Sequence, residues 1–178
     1  MEIVVKRMVA FVLSLSVLLL AGCQGRQETV EAKIEGVVKT VFTVQEGEQM
    51  ELLQALYSPE ALTSSEPEEA YFDYFRKQLP QEDMTADCYE DLPIYTLQSL
   101  VFPAFCVSSG ATVKPQEVSV SLTAEKSRVY AYTAQLEITK AGTDSSAEVE
   151  GTVQLDEEGK ITFFEATELE ELLSAVTS

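Results

Sequence analysis

Midway along this 178-residue chain the spacing of apolar residues changes, and that change decides which elements each half can form. Ahead of Pro80 apolar residues recur every three or four positions, the period of a helix. After Pro115 they recur every two, the period of a strand. From Glu28 to Thr43, residues Val30, Ile34, Val37, Val38, Val41 and Phe42 share one helical face. Gly36 weakens that helix by about 0.5 to 1 kcal/mol relative to alanine and is a candidate point of close approach to another element. A second helix carries Met50, Leu52, Leu53, Leu56 and Tyr57 and stops at Ser58-Pro59. Ser65 and Glu68 have capping-box spacing and open a third helix, which buries Tyr71, Phe72, Phe75 and Leu79 and ends at Pro80.

Between the halves, Leu92 to Val107 is apolar but interrupted by Pro93 and Pro103, a pattern open to a short buried helix or an edge strand, with helix preferred. Val118, Val120 and Leu122 then alternate with serines, and Tyr130, Tyr132, Ala134, Leu136 and Ile138 repeat the pattern. A turn over Gly142 to Ser146 leads to Val149, Gly151, Val153 and Leu155 with acids on the opposite face. Glu157-Glu158-Gly159-Lys160 turns the chain into Ile161 to Phe164, and Leu169, Leu172, Leu173 and Val176 restore a helical period. Helices followed by a meander define an α+β domain, its helices laid across one face of a curved antiparallel sheet.

Ahead of this domain, Lys6 and Arg7 precede an apolar run from Met8 to Leu20, too short to span a bilayer without its polar flanks. Leu20-Ala21-Gly22-Cys23 closes the run and resembles the lipobox of bacterial lipoproteins. That resemblance implies a cleaved signal peptide at 1–22, a lipid on the Cys23 thiol, a tether over 23–27 and a domain over 28–178. It also implies a cell-membrane location on the extracytoplasmic face, where two acyl chains, at about 0.8 kcal/mol per buried methylene, anchor stably. The alternatives are an uncleaved anchor and an ordinary secretory site followed by a free cysteine.

Cleavage after residue 22 would remove Glu2, Lys6 and Arg7 from 30 acidic and 12 basic residues, leaving 29 and 10 and a net charge of about −19. Such a surface repels phosphate backbones and anionic headgroups, which argues against nucleic acid and leaves cations or basic partners open. Cys88 and Cys106 remain after lipidation. They pair with each other, in a bridge that contributes about 3 kcal/mol, or serve as small apolar core residues.

Val38-Lys-Thr-Val-Phe, Gly47-Glu48, Leu56-Tyr-Ser-Pro-Glu-Ala-Leu62 and the closing stretch Glu150 to Ile161 resemble nuclear-transport-factor-2-like (cystatin-like) domains. The resemblance implies a cone-shaped pocket between sheet and helices, in a family that includes enzymes, ligand carriers and dimerisation modules. The chain differs in its apolar, proline-interrupted insertion between the third helix and the sheet.

With no histidine, imidazole-based triads, bases and zinc sites are excluded. Phosphate loops, Cys-x-x-Cys pairs and Gly-x-Ser-x-Gly elbows are also missing from the sequence. The expected role is a non-catalytic module for a small ligand or an envelope protein, with no cofactor and no metal. The alternative is an enzyme of the isomerase or dehydratase kind, in which Asp73 or Asp91 serves as base beside Tyr130 or Tyr132. Glu82, Asp83, Asp87, Glu90 and Asp91 surround Cys88 without calcium-loop spacing and are expected to form a solvated acidic loop.

Overall fold

The helical half of the sequence becomes five helices, in a computed structural model that describes residues 29–124 and 127–178. Leu20-Ala21-Gly22-Cys23 and the tether lie outside the described residues. The helices are α1 (residues 29–42), α2 (Glu48–Leu56), α3 (Glu66–Gln78), α4 (Ala86–Tyr95) and α5 (Phe102–Ser109). Strands β1 (Thr112–Ala124), β2 (Val129–Lys140), β3 (Thr143–Leu155) and β4 (Ile161–Ala166) follow, then α6 (Glu170–Thr177). The strands pair antiparallel in the order β1-β2-β3-β4, an open meander. One unit covers Ile34–Ser178, and all packing described below lies within it.

The two periods place the core as expected. Ile34, Val37, Val38, Val41 and Phe42 of α1 are buried, as are the alternating Tyr132, Ala134, Leu136 and Ile138 of β2. On β3 the apolar set Ala147, Val149, Val153 and Leu155 is buried, while Glu148, Glu150 and Gln154 are exposed. Helix α6 sets Leu172 and Val176 into this core and packs on β3, β2 and α5.

The proline-interrupted stretch is helical throughout, in two pieces. Pro93 lies inside α4 and offers no N–H to the Tyr89 carbonyl, and the ladder widens into a π-turn over Thr96–Leu100. The buried Thr96 hydroxyl donates to the Leu92 carbonyl at 2.9 Å. Val101 then takes a left-handed conformation, φ 60°, a strained state for a β-branched residue, and α5 starts behind it. No single helix among the described residues is long and apolar enough to cross a membrane. The bent pair Ala86–Leu100 and Phe102–Ser109, broken by 62°, supplies core side chains instead.

Both sheet edges are covered in part by the helical half. Val44 bridges Val113 on β1 through backbone bonds of 2.8 and 2.9 Å, next to Pro115, which has no N–H to offer an edge. On β4, Met84 bridges Ile161, Thr85 N–H donates to the Ile161 carbonyl at 2.9 Å, and Ala166 N–H donates to the Tyr95 hydroxyl at 3.0 Å. Helix α4 is thereby held along β4 at both of its ends.

Three local expectations are corrected. Ser65 and Glu68 form no capping box: the Ser65 backbone is already helical, and its hydroxyl donates to Glu69 at 2.8 Å. Gly36 approaches no other element, since a Cβ there would meet nothing within 4 Å. The turn between β2 and β3 is not Gly142 to Ser146 but the pair Ala141-Gly142, with φ 50° and 78°. Two positive φ values match the twist of the flanking strands, so pairing runs out to Lys140 and Thr143.

The glycine with structural consequence is Gly151, which faces Tyr132 across the β2–β3 ladder. The Tyr132 side chain crosses it to donate a hydrogen bond to the Glu165 carbonyl on β4 at 3.1 Å. A Cβ at residue 151 would collide with that carbonyl and that hydroxyl. Gly151→Ala is therefore expected to lower stability by about 3 kcal/mol, the upper part of the usual overpacking range. Equilibrium urea unfolding reads this directly, and a loss under about 0.5 kcal/mol would show that the ring has room to move.

Candidate binding site

The concave face of the sheet is filled with aromatic side chains. Phe42 of α1 stacks on Phe102 of α5 at 5.8 Å and lies 6.4 Å from both Tyr132 and Phe164. Tyr132 in turn stacks on Phe164 at 5.4 Å, and all four rings are 5% exposed or less. The surface clefts described below are lined by neither Phe42, Phe102 nor Tyr132.

No aspartate reaches this interior. Asp73 lies on the outer side of α3, 3.6 Å from the Arg76 guanidinium and 72% exposed, and Asp91 is exposed on α4. Tyr130 is half-buried, and the Tyr132 hydroxyl is engaged by Glu165. Apart from the phenols of Tyr71 and Tyr132 and the thiols of Cys88 and Cys106, the buried polar side chains among the described residues are Gln49 and Thr96, and no carboxylate is among them. Burial, with minor contributions from Tyr95 and Glu165, pushes the Tyr132 phenol far above its ordinary range, so it stays a neutral donor.

Cys88 on α4 and Cys106 on α5 are buried and their thiols are free. Burial, and secondarily Asp91, pushes the Cys88 thiol up to about 11. Burial pushes Cys106 up to about 12.

The acids around Cys88 do not form the expected loop, since Asp87, Glu90 and Asp91 lie on helix α4, and they do not converge. Glu90 turns to Arg76, 3.1 Å from Nη2, and that guanidinium also lies 5.7 Å from the Phe72 ring. Glu82 and Asp83 sit in a separate 3-10 turn, Gln81–Asp83. No group of three or more acids and thiols among the described residues is placed to hold a metal ion.

Asp87, Asp91 and Tyr95, spaced by four, share one face of α4. They line a cleft of about 220 Å³ with Leu92 and with Phe163 and Phe164 of β4. Tyr95 and Phe164 meet edge to face, with centroids 6.2 Å apart and planes at 74°, so their rings form a corner. Phe163, next along β4 and so on the opposite face of the strand from the buried Phe164, is 49% exposed. Sequence reasoning missed this set: it placed Asp87 and Asp91 in an acidic loop, although their spacing of four with Tyr95 was a signal for one helix face. Phe163 and Phe164 gave no such signal, because nothing local couples α4 to β4.

Other concavities are less suited to a ligand. A cleft of about 220 Å³ between α1 and α3 contains Gln49, whose amide donates to the Thr43 carbonyl at 2.9 Å and accepts from Gln45 N–H at 3.0 Å. The Gln45 amide donates to the Tyr74 hydroxyl at 3.1 Å, so these groups hold each other. An adjoining groove of about 450 Å³ follows Val44 and Thr112–Pro115 along the bridged part of β1. A fourth hollow, about 390 Å³, is lined by Glu148, Glu150, Glu168, Glu170 and Glu171 alone.

No protein-family model matches the chain, and no curated protein matches it either. Among solved structures it is similar to a de novo designed β-sheet protein, with TM-score 0.43 and 14% identity over 79% of this chain and 88% of the other. It is also similar to the proposed transfer protein TraH from the Gram-positive conjugative plasmid pIP501, with TM-score 0.37 and 18% identity over 72% and 98%.

The thiols give a pH prediction. Both fold as neutral groups with values raised above the ordinary 9, so their contribution to stability is complete below about pH 9 and is lost as pH rises through about 11 to 12. A Cys23→Ala chain is expected to show two thiols to a disulfide reagent only when unfolded, and to lose thermal stability above pH 9. Rapid labelling of the native chain at pH 8 would contradict the burial of both.

Proposed function

We propose that the protein is a lipoprotein held at the extracytoplasmic face of the cell membrane through lipid on Cys23, and that its domain is a non-catalytic binding module. Leu20-Ala21-Gly22-Cys23 behind its short apolar run supports the anchor. Helices followed by a four-stranded meander are in keeping with a nuclear-transport-factor-2-like domain. The filled concavity, with Phe42, Phe102, Tyr132 and Phe164 in contact, counts against the cone-shaped pocket on the concave face that the resemblance implies, and a ligand is therefore assigned to the surface. The α4–β4 cleft is its place, because it alone among the described clefts joins exposed aromatic surface to charges without partners.

Two measurements test this. Cells expressing the full chain and fed an alkynyl palmitate are expected to label it, and Cys23→Ala is expected to abolish the label. An equally labelled variant would sink the anchor. Native mass spectrometry of detergent-extracted protein is expected to show a small-molecule adduct that Phe163→Ala loses, whereas identical spectra from the two proteins would remove the cleft as the site.

A further inference from the structure

We infer that the elbow between α4 and α5, with Val101 at its apex and Phe105 one turn on, dips into the lipid surface, a contact that rests on the reading of Cys23 as the anchored residue.

Charge marks the place. The chain carries 30 acidic and 12 basic residues, yet none of them lies between Asp91 and Lys114. That stretch forms the end of α4, the π-turn Thr96–Leu100 and the whole of α5. A carboxylate is costly to bring against acyl chains and is repelled by anionic headgroups, so an acidic domain approaches a bilayer closely only by a surface of this kind. The exposed polar side chains of the elbow are neutral: Gln98 and Ser99 in the π-turn, and Ser108 on α5. Ile94, one turn after Glu90 and Asp91, marks where the acidic part of α4 gives way.

Strain marks it a second time. Val101 takes φ 60°, a conformation that glycine adopts freely and a β-branched residue holds only at a cost. Packing within the domain does not offset that cost, because the Val101 side chain is 42% exposed. Phe105, four residues on, is 38% exposed, and Leu97, four residues back, is half-buried. The inner side of α5 is supplied by Phe102, Pro103 and Cys106, so Val101 and Phe105 belong to its outer side. Strain retained for an outward apolar side chain is accounted for once that side chain leaves water for lipid.

The tether brings lipid within reach. The unit that holds the elbow begins at Ile34, roughly ten residues after Cys23, a length of chain that spans at most about 35 Å. A compact unit of this size is about 40 Å across, so lipid on Cys23 keeps its surface at high local concentration beside the bilayer. A contact about 5 to 10 Å deep, as interfacial helices make, takes in the outer side chains and leaves the core built by the inner side of α5 intact.

The chain has no tryptophan, so Phe105→Trp and, as its control, Ser121→Trp each carry a single indole. Ser121 is exposed on β1 and alternates with the half-buried Val120 and Leu122, on the sheet face turned away from the helices. Each full chain, extracted from cell membranes and reconstituted into phosphatidylcholine vesicles, is expected to float with them. Bromine on the acyl chains is expected to quench Phe105→Trp severalfold and to leave Ser121→Trp unchanged. Val101→Glu, a change at an exposed position, is expected to restore the emission of Phe105→Trp while flotation and cooperative melting persist. Flotation without quenching of Phe105→Trp would overturn the elbow contact and leave the anchor standing. Equal quenching of both indoles would overturn the choice of face. A blue-shifted Phe105→Trp that bromine does not quench would show protein covering the elbow and overturn the lipid assignment. Chains that stay out of the vesicle fraction would overturn the anchor and this contact with it.

Discussion

The hydrogen bond from Tyr132 across Gly151 to the Glu165 carbonyl ties three strands through one side chain. The ring can lie flat over β3 only because residue 151 has no side chain. Lying there, it presents its face to Phe164 and its edge region to Phe42, and through Phe42 the contact extends to Phe102 on α5. One missing methyl group thus sets how the helical half rests on the sheet and why the concavity between them is occupied by the chain's own rings.

That occupied interior moves the chemistry outward. An aspartate and tyrosine enzyme needs a carboxylate withdrawn from water, and the described aspartates of interest point to solvent or to Arg76. Withdrawal has instead been applied to thiols and phenols, which stay neutral and act as packing groups. On the outside, the backbone bonds of Met84 and Thr85 and the Tyr95 hydroxyl, which accepts from Ala166 N–H, lay an acidic helix face against the edge strand β4. In this acidic chain, with a net charge of −18, the α4–β4 cleft is where, among the described clefts, carboxylates border aromatic residues.

Periodicity made most of this fold legible. The shift from a three-and-four spacing to alternation placed α1 to α3, the four strands and α6, because each of these elements buries one face and exposes the other. Leu92 to Val107 stayed open because Pro93 and Pro103 break the local pattern, and its helical outcome depends on a π-turn and a strained Val101 that only packing stabilises. The tight Ala141-Gly142 turn was missed because alanine rarely accepts a positive φ. The candidate site was not legible: Asp87 and Asp91 read as part of a solvated acidic loop, because Pro93 obscures the helix that carries them, and Phe163 and Phe164 come from a strand some 70 residues on that only tertiary contact joins to α4.

The central claim is that the space between helices and sheet is solid. Xenon enters empty apolar cavities, so a crystal of the soluble domain pressurised with xenon measures that space directly. The account predicts no xenon beside Phe42, Tyr132 or Phe164. A well-occupied xenon atom among those rings would contradict it and return the ligand site to the concave face of the sheet.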